Sequence, residues 1–414
     1  MTKLSELSSQ YESFKSRNLS LNLTRGKPST DQIELSNDLD GVLEADYLAE
    51  DGSDTRNYGG LRGIPEAREL GACLLDIPPE RVIAGGNSSL HLMYIVVELL
   101  AHRGLVGPPL LRNSNAAAIC PVPGYDRHFA LTDYVGFKMI NVAMQAEGPD
   151  MDAVEAMVRD DHNTCLLWCV PRHSNPTGYT YSDETVRRIA ALPNLRRERS
   201  GSPFYVLWDN AYAVHDFKEP APNLANLDKY AIELGTEDWI VQFASTSKIT
   251  FAGAGVGFIG SSATLLADFE RHLGMRTVGF DKVNQLRQAR FLQNGTGLKM
   301  HMKKQAAIVG PKFEIAQKVL AQELGSFDPQ IASWTHPTGG YFISLDVTPG
   351  NAKRVVETAK EAGLALTPAG ATFPYGRDPS DANIRIAPTF ANIEEVQVAM
   401  ELLTTCVKLV HASK

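Results

Sequence analysis

The chain has 414 residues, 43% of them hydrophobic and 21% charged, with a formal net charge of -8 at pH 7. That length exceeds what one hydrophobic core organises and implies two or three domains, while the balanced composition excludes disorder and low complexity. An acidic chain is a poor partner for nucleic acid or an anionic membrane, although a local basic pocket for a small anion is compatible with it.

The first ten residues contain no apolar run of the kind that directs secretion, which predicts a cytoplasmic protein. The most apolar helical stretch, Leu92 to Ala101, contains Glu98 and is too short to span a bilayer. Five cysteines, mostly in apolar runs and without metal-ligand spacing, read as reduced core residues, so no metal is expected.

In chain order, residues before Asn22 form an amphipathic arm or first helix, and Arg25-Gly26-Lys27-Pro28 turns sharply. Arg25 and Lys27 are either a solvated basic turn or ligands for an anion. The glycine-rich segment from Asp54 leads into a helix over Glu66 to Leu75, with Pro65 at its start. Within it, Tyr58 is either a loop aromatic or a hydroxyl donor to a ligand. A strand over Arg81 to Ala84 then meets Gly85, Gly86, Asn87 and Ser88 before a helix from Leu90 to His102. Such a turn is a phosphate cradle or a plain capped helix, since Asn and Ser serve both. Ala116 to Cys120 reads as a strand ending at Pro121, with Tyr125 beyond it. Strands are also expected at Gly136 to Ala143, Thr164 to Val170 and Phe204 to Trp208, with helices over Met151 to Arg159 and from Ser182 to about Leu192.

The run Trp239 to Ala244 reads as another buried strand, and it ends in Ser245, Thr246, Ser247 and Lys248. A lysine held at a sheet edge can lose its charge by desolvation and act as a nucleophile; alone, it can equally reach water. Asp209 directly after an apolar strand is costly unless it meets a cation or donors. Gly255 to Gly260 gives one more strand. Strands alternating with helices imply an α/β fold with a mostly parallel sheet, and each polar group singled out so far follows a strand's C-terminal end or opens the next helix.

The texture changes near residue 300. A long helix is expected over Lys299 to Leu324, two strands around a Gly-Gly turn between Trp334 and Asp346, a helix over Ala352 to Ala362 and a final helix from Asn392, with Glu395 in capping-box position. This predicts a smaller α+β domain. The expected division is residues 1–50 as an arm with part of the small domain, 51–300 as the large domain and 301–414 as the small C-terminal domain. Arg385 alternates with apolar neighbours and so points away from them, toward a cleft or water.

The ordered set Asn175-Pro176-Thr177-Gly178, Asp209 with Tyr212, Ser245 with Ser247-Lys248, and Asn383-Ile384-Arg385 resembles the fold-type I aminotransferases of class I/II, which depend on pyridoxal 5′-phosphate (PLP). The segments Asn22 to Pro28 and Ser247 to Gly257 look like the divergent bacterial aspartate aminotransferases related to the MocR-type aminotransferase domain.

The resemblance implies a PLP cofactor attached to Lys248, which also shuttles the substrate proton. It implies Asp209 on the pyridine nitrogen, Tyr212 and Asn175 on the phenolic oxygen, and Tyr125 stacked on the ring. Gly86, Asn87, Ser88 and Ser245 would hold the phosphate, joined by Tyr58 from the neighbouring subunit of a homodimer. Arg385 would grip the substrate α-carboxylate, with Asn175 and Gly26 beside it and Arg25 as candidate for a distal carboxylate.

One position departs from the pattern. Gly255 stands where class I enzymes commonly place a phosphate-binding arginine. The expected reaction is aspartate transamination with 2-oxoglutarate by a ping-pong route, with small amino and 2-oxo acids as partners and no nucleic acid or membrane. Alternatives are an alanine or aromatic aminotransferase, a PLP β-lyase, or a PLP-domain regulator. The acidic charge and the early start of the motifs speak against the regulator.

Overall fold

The computed structural model describes residues 3–413. Its strands are β1 (Leu21–Asn22), β2 (Val82–Gly85), β3 (Ala117–Val122), β4 (Lys138–Gln145), β5 (Gly148–Pro149), β6 (Thr164–Cys169), β7 (Tyr205–Asp209), β8 (Ile240–Ser245), β9 (Gly257–Gly260), β10 (Ala332–Trp334), β11 (Ile343–Val347), β12 (Leu364–Ala365) and β13 (Asn383–Ile386). Eight of them build one sheet in the order β2-β9-β8-β7-β6-β3-β4-β5. Neighbours from β8 to β4 run parallel, whereas β9 is antiparallel to both β2 and β8, and β5 to β4.

The strands are near-continuous apolar runs because helices cover both faces of the sheet. Side-chain alternation divides β7 between the two layers. Leu207 joins the cluster formed with helices Ser89–His102, Asp126–Val135 and Ala263–Leu273, while Val206 and Trp208 join the opposite layer, with helices Met151–Asp160, Asp183–Ser200 and Leu227–Leu234. Side-chain caps start these helices, among them Ser88, Ser182, Asn226 and Ser262, each worth about 1 kcal/mol.

The smaller α+β domain is built on the antiparallel sheet β10-β11-β13 and the parallel pair β1-β12. Its core joins Tyr11, Phe14, Leu21 and Leu23 to the C-terminal half of helix Asn294–Leu324 and to helix Ile393–Ala412. The long helix serves both units, since Leu298 and Met302 pack with the large sheet's cluster and Val309 to Leu324 with the small one. The capping box expected at Asn392 and Glu395 is present.

Several expectations need correction. β3 runs through Pro121 to Val122; its ladder with β6 ends at Ile119, so the proline costs no ladder bond there. The helix after Ser182 continues past Leu192 and Pro193 to Ser200. β10 and β11 do pair, but residues 335–342 between them make an excursion instead of a tight Gly-Gly turn. Gly339 lies flat on His173, where a Cβ would stand 2.2 Å from the ring. Five α-helices have no counterpart in the sequence-based expectations: Thr30–Glu34, Asp126–Val135, Leu227–Leu234, Ala263–Leu273 and Lys282–Leu292. Cys73 is exposed, unlike the four buried cysteines. Among the described residues no helix is long and apolar enough to cross a membrane, and no group of side chains has metal-ligand geometry.

Candidate active site

β2, β3, β6, β7 and β8 all point their C-terminal ends to one edge of the large sheet, the edge where open α/β sheets take ligands. Parallel pairing therefore brings together residues far apart in sequence: Gly86 to Ser88 after β2, Tyr125 after β3, Asn175 after β6, Asp209 and Tyr212 at β7, and Ser245 to Lys248 at β8. Gly257 pairs with both Gly85 and Ser245, so the glycine turn and the serine strand end lie side by side.

Lys248 extends over the Tyr212 ring, with Nζ 4.9 Å from its centroid. Burial lowers the lysine pKa from its ordinary value, and Asp209 pulls it the other way. Its backbone carbonyl accepts from Tyr341 Oη and His215 Nε2, both at 3.2 Å, which fixes the chain beneath the side chain.

Asp209 is buried. Its Oδ2 meets His128 Nε2 at 3.0 Å, whereas Oδ1 has no partner among the described residues. The His128 ring stacks on Trp168 at 4.0 Å, and Trp168 Nε1 donates to Thr132 Oγ1. A buried carboxylate oxygen without a donor costs several kcal/mol, about the penalty of an unmet charged group, so this atom demands a cationic or N–H partner. A protonated pyridine nitrogen meets that demand.

Arg385 reaches the same edge from β13 of the small domain and is buried. Nη1 donates to Asp126 Oδ1 at 2.9 Å and Asn175 Oδ1 at 3.3 Å, and the guanidinium lies over the Phe342 ring at 5.0 Å. Since the Asn175 oxygen is turned toward Arg385, its amide N–H groups are left for another acceptor. Gly26 packs against the Phe342 ring, so close that a Cβ would stand 2.4 Å from Cζ.

The turn after β2 has the geometry of an anion cradle. Gly86 adopts φ +61°, Ser88 caps the fourteen-residue helix Ser89–His102, and Ser247 Oγ donates to Asn87 O. Gly255 sits against Ser247, where a Cβ would be 2.9 Å from Oγ and 3.0 Å from the backbone nitrogen. The loop as folded has no room for the missing arginine.

The site thus unites Lys248, Asp209, Tyr212, Tyr125, Asn175, Arg385 and Gly26, with Gly86, Asn87, Ser88 and Ser245 at the cradle. Tyr58 stands apart, 89% exposed, and its loop is pinned by Lys282 Nζ on the carbonyls of Asn57 and Gly59. Arg25 is exposed beside Gly26, its guanidinium unpaired among the described residues. Sequence reading missed His128 and Asp126 because both lie on the unread helix Asp126–Val135. The only available signal was His128 standing one helical turn after Tyr125.

The two-domain fold, the unmet Asp209 oxygen, the desolvated lysine and the phosphate cradle are those of a fold-type I PLP-dependent aminotransferase. The chain matches the family described as "Aspartate amino-transferase" over residues 2–414. It is 46% identical over 408 residues to a putative aminotransferase of Mycolicibacterium smegmatis, covering 96% of this chain and 93% of the relative. It is 43% identical over 411 residues to the aspartate aminotransferase of Corynebacterium glutamicum, covering 98% and 93%. A crystal structure of an aspartate transaminase from C. glutamicum superposes with a TM-score of 0.94 at 43% identity, over 99% of this chain and 96% of that one. The chain belongs to the aspartate aminotransferase family.

Proposed function

We propose that this protein transfers the amino group of L-aspartate to 2-oxoglutarate, giving oxaloacetate and L-glutamate in two ping-pong half-reactions. The observation that carries the reading is Lys248, Asp209 and Arg385 converging on one cleft, in a chain 43% identical to a relative named aspartate aminotransferase. When bound, PLP supplies a carbonyl that takes up the amino group and a ring that accepts the electron pair left at the substrate Cα.

The protein's own residues do the rest. Lys248 would anchor the cofactor and would take the proton from the substrate Cα; its desolvation favours the neutral amine needed for this. Asp209, steadied by His128, would hold a proton on the ring nitrogen, and Tyr212 and Asn175 would donate to the phenolic oxygen. Tyr125 would pack against the ring. Gly86, Asn87, Ser88 and Ser245 hold the phosphate with backbone and hydroxyl donors, and the helix N-terminus supplies part of the charge an arginine would. Arg385 orients the α-carboxylate with Asn175 and Gly26 beside it. Arg25, exposed and unpaired in the adjoining loop, takes the distal carboxylate.

The working unit is a homodimer in which Tyr58 reaches the partner subunit's phosphate site, a role that suits its exposure. Residues 1–50 form the arm with part of the small domain, 51–300 the cofactor-binding domain and 301–414 the small domain. The packing of Tyr11 and Phe14 into the small-domain core supports this division.

The test is an absorbance titration of the holoenzyme with L-aspartate, L-alanine and L-phenylalanine, without any oxo acid. Aspartate should convert the cofactor band at much the lowest concentration, and Arg25→Ala should raise that concentration for aspartate far more than for alanine. A band responding best to alanine or phenylalanine overturns the substrate; equal effects of Arg25→Ala on both overturn the role of Arg25.

A further inference from the structure

The Arg385 guanidinium has five N–H donors. Nη1 directs one to Asp126 and one to Asn175, and Nε approaches Thr367 Oγ1 at 3.4 Å. Only Nη2 lacks a partner among the described residues. A carboxylate that forks onto a guanidinium takes N–H groups from two nitrogens, so each such pair here includes a donor the protein already uses.

The engaged partners differ in kind. Asn175 and Thr367 are neutral and buried, and both remain useful to an arginine that holds a carboxylate. Asp126 is itself a carboxylate, at 2.9 Å, and its side chain is 35% exposed. It stands first in helix Asp126–Val135, so its backbone is fixed by the helix while its side chain is free to turn toward water. Two carboxylates on one guanidinium repel each other, and the exposed one leaves more cheaply.

From this geometry we infer that Asp126 occupies the α-carboxylate seat on Arg385 in the free protein, and that amino and 2-oxo acids bind by displacing it. The inference rests on the reading of Arg385 given above. It makes Asp126 a determinant of affinity for acids: the residue keeps a buried arginine paired while the cleft is empty, and it weakens the binding of each carboxylate that enters. The pair also joins β13 of the small domain to the helix after β3 of the large one, so displacement exchanges a protein contact between domains for one made through the substrate.

The test is the dissociation constant of maleate, an unreactive dicarboxylate, for the holoenzyme by isothermal titration calorimetry, with wild type, Asp126→Asn, Asp126→Ser and Arg385→Lys. Both Asp126 variants should bind maleate about threefold to tenfold more tightly, the range expected when one partly exposed competing charge is removed. The KM for aspartate should fall alongside. Unchanged or weaker binding in both variants overturns the inference, because a residue that merely orients Arg385 must weaken binding when removed. Arg385→Lys serves a separate purpose. Loss of maleate affinity in that variant upholds the arginine assignment whatever Asp126 does, and wild-type affinity overturns the assignment and the inference with it.

Discussion

The lysine half and the arginine half of the cleft are built on opposite electrostatic plans. Around Lys248 and Asp209 the protein leaves demands unmet: one oxygen of a buried carboxylate lacks a donor, and a lysine is pushed toward neutrality by burial. Around Arg385 the Nη1 and Nε donors are engaged by Asp126, Asn175 and Thr367. The difference follows from residence time. A cofactor that stays can be counted on to complete the site, so its partners need none of their own. A substrate that comes and goes leaves its arginine exposed to the full cost of an unpaired buried charge unless the protein supplies a stand-in.

The largest effect should come from breaking the lysine half. Lys248→Ala removes both the anchor and the proton carrier, and turnover of aspartate should fall about ten-thousand-fold. Borohydride treatment should trap cofactor mass on the wild-type peptide containing Lys248 and none on the variant. Trapping at another lysine would show that the nucleophile has been misassigned.

A smaller change sharpens the arginine half. In Gly26→Ala the new Cβ would meet Phe342 at 2.4 Å, and Phe342 lies beneath Arg385. Overpacking of this kind costs about 1–3 kcal/mol. The KM for aspartate should rise about tenfold, with little change in the cofactor absorbance of the resting enzyme. A variant that instead loses its cofactor would mean the two halves are not separable.

The smallest effect concerns the support beneath Lys248. Burial drives the His215 pKa from 6.5 down to about 3, and its Nε2–H donates to the Lys248 carbonyl. Below pH 6.5 the unfolded chain takes up a proton that the folded one refuses until about pH 3, so acidification across that window destabilises the fold. His215→Gln keeps an N–H donor and removes the titration. Urea unfolding at a series of pH values should give a shallower acid-side decline for the variant. His173 and His301, also held down by burial, leave a residual slope. Identical slopes would show that His215 does not stay neutral in the folded protein.

Much of this site was legible in the chain itself. Lys248, Asp209, Tyr212, Asn175 and Tyr125 each follow an apolar run, and a run covered on both faces can only be an interior strand, so its polar successor must lie at the sheet's edge. The large α/β domain, the small α+β domain and the glycine cradle were readable for the same reason: period, turn residues and caps are local properties. His128 and Asp126 were not readable. The helix that carries them has a weak apolar pattern, and their partners, Asp209 and Arg385, lie 81 and 259 residues away.

The sequence by itself determined which polar residues follow buried strands and that those strands would deliver them to one edge, because hydrophobic runs and their terminators act over a few residues. Only the tertiary structure decided that Asp209 keeps one oxygen free while Arg385 is already paired, that Gly255 leaves no room for an arginine, and that residues 335–342 leave the expected turn to pack on His173. Those outcomes depend on the distance between groups brought together from distant parts of the chain, and no local pattern records a distance.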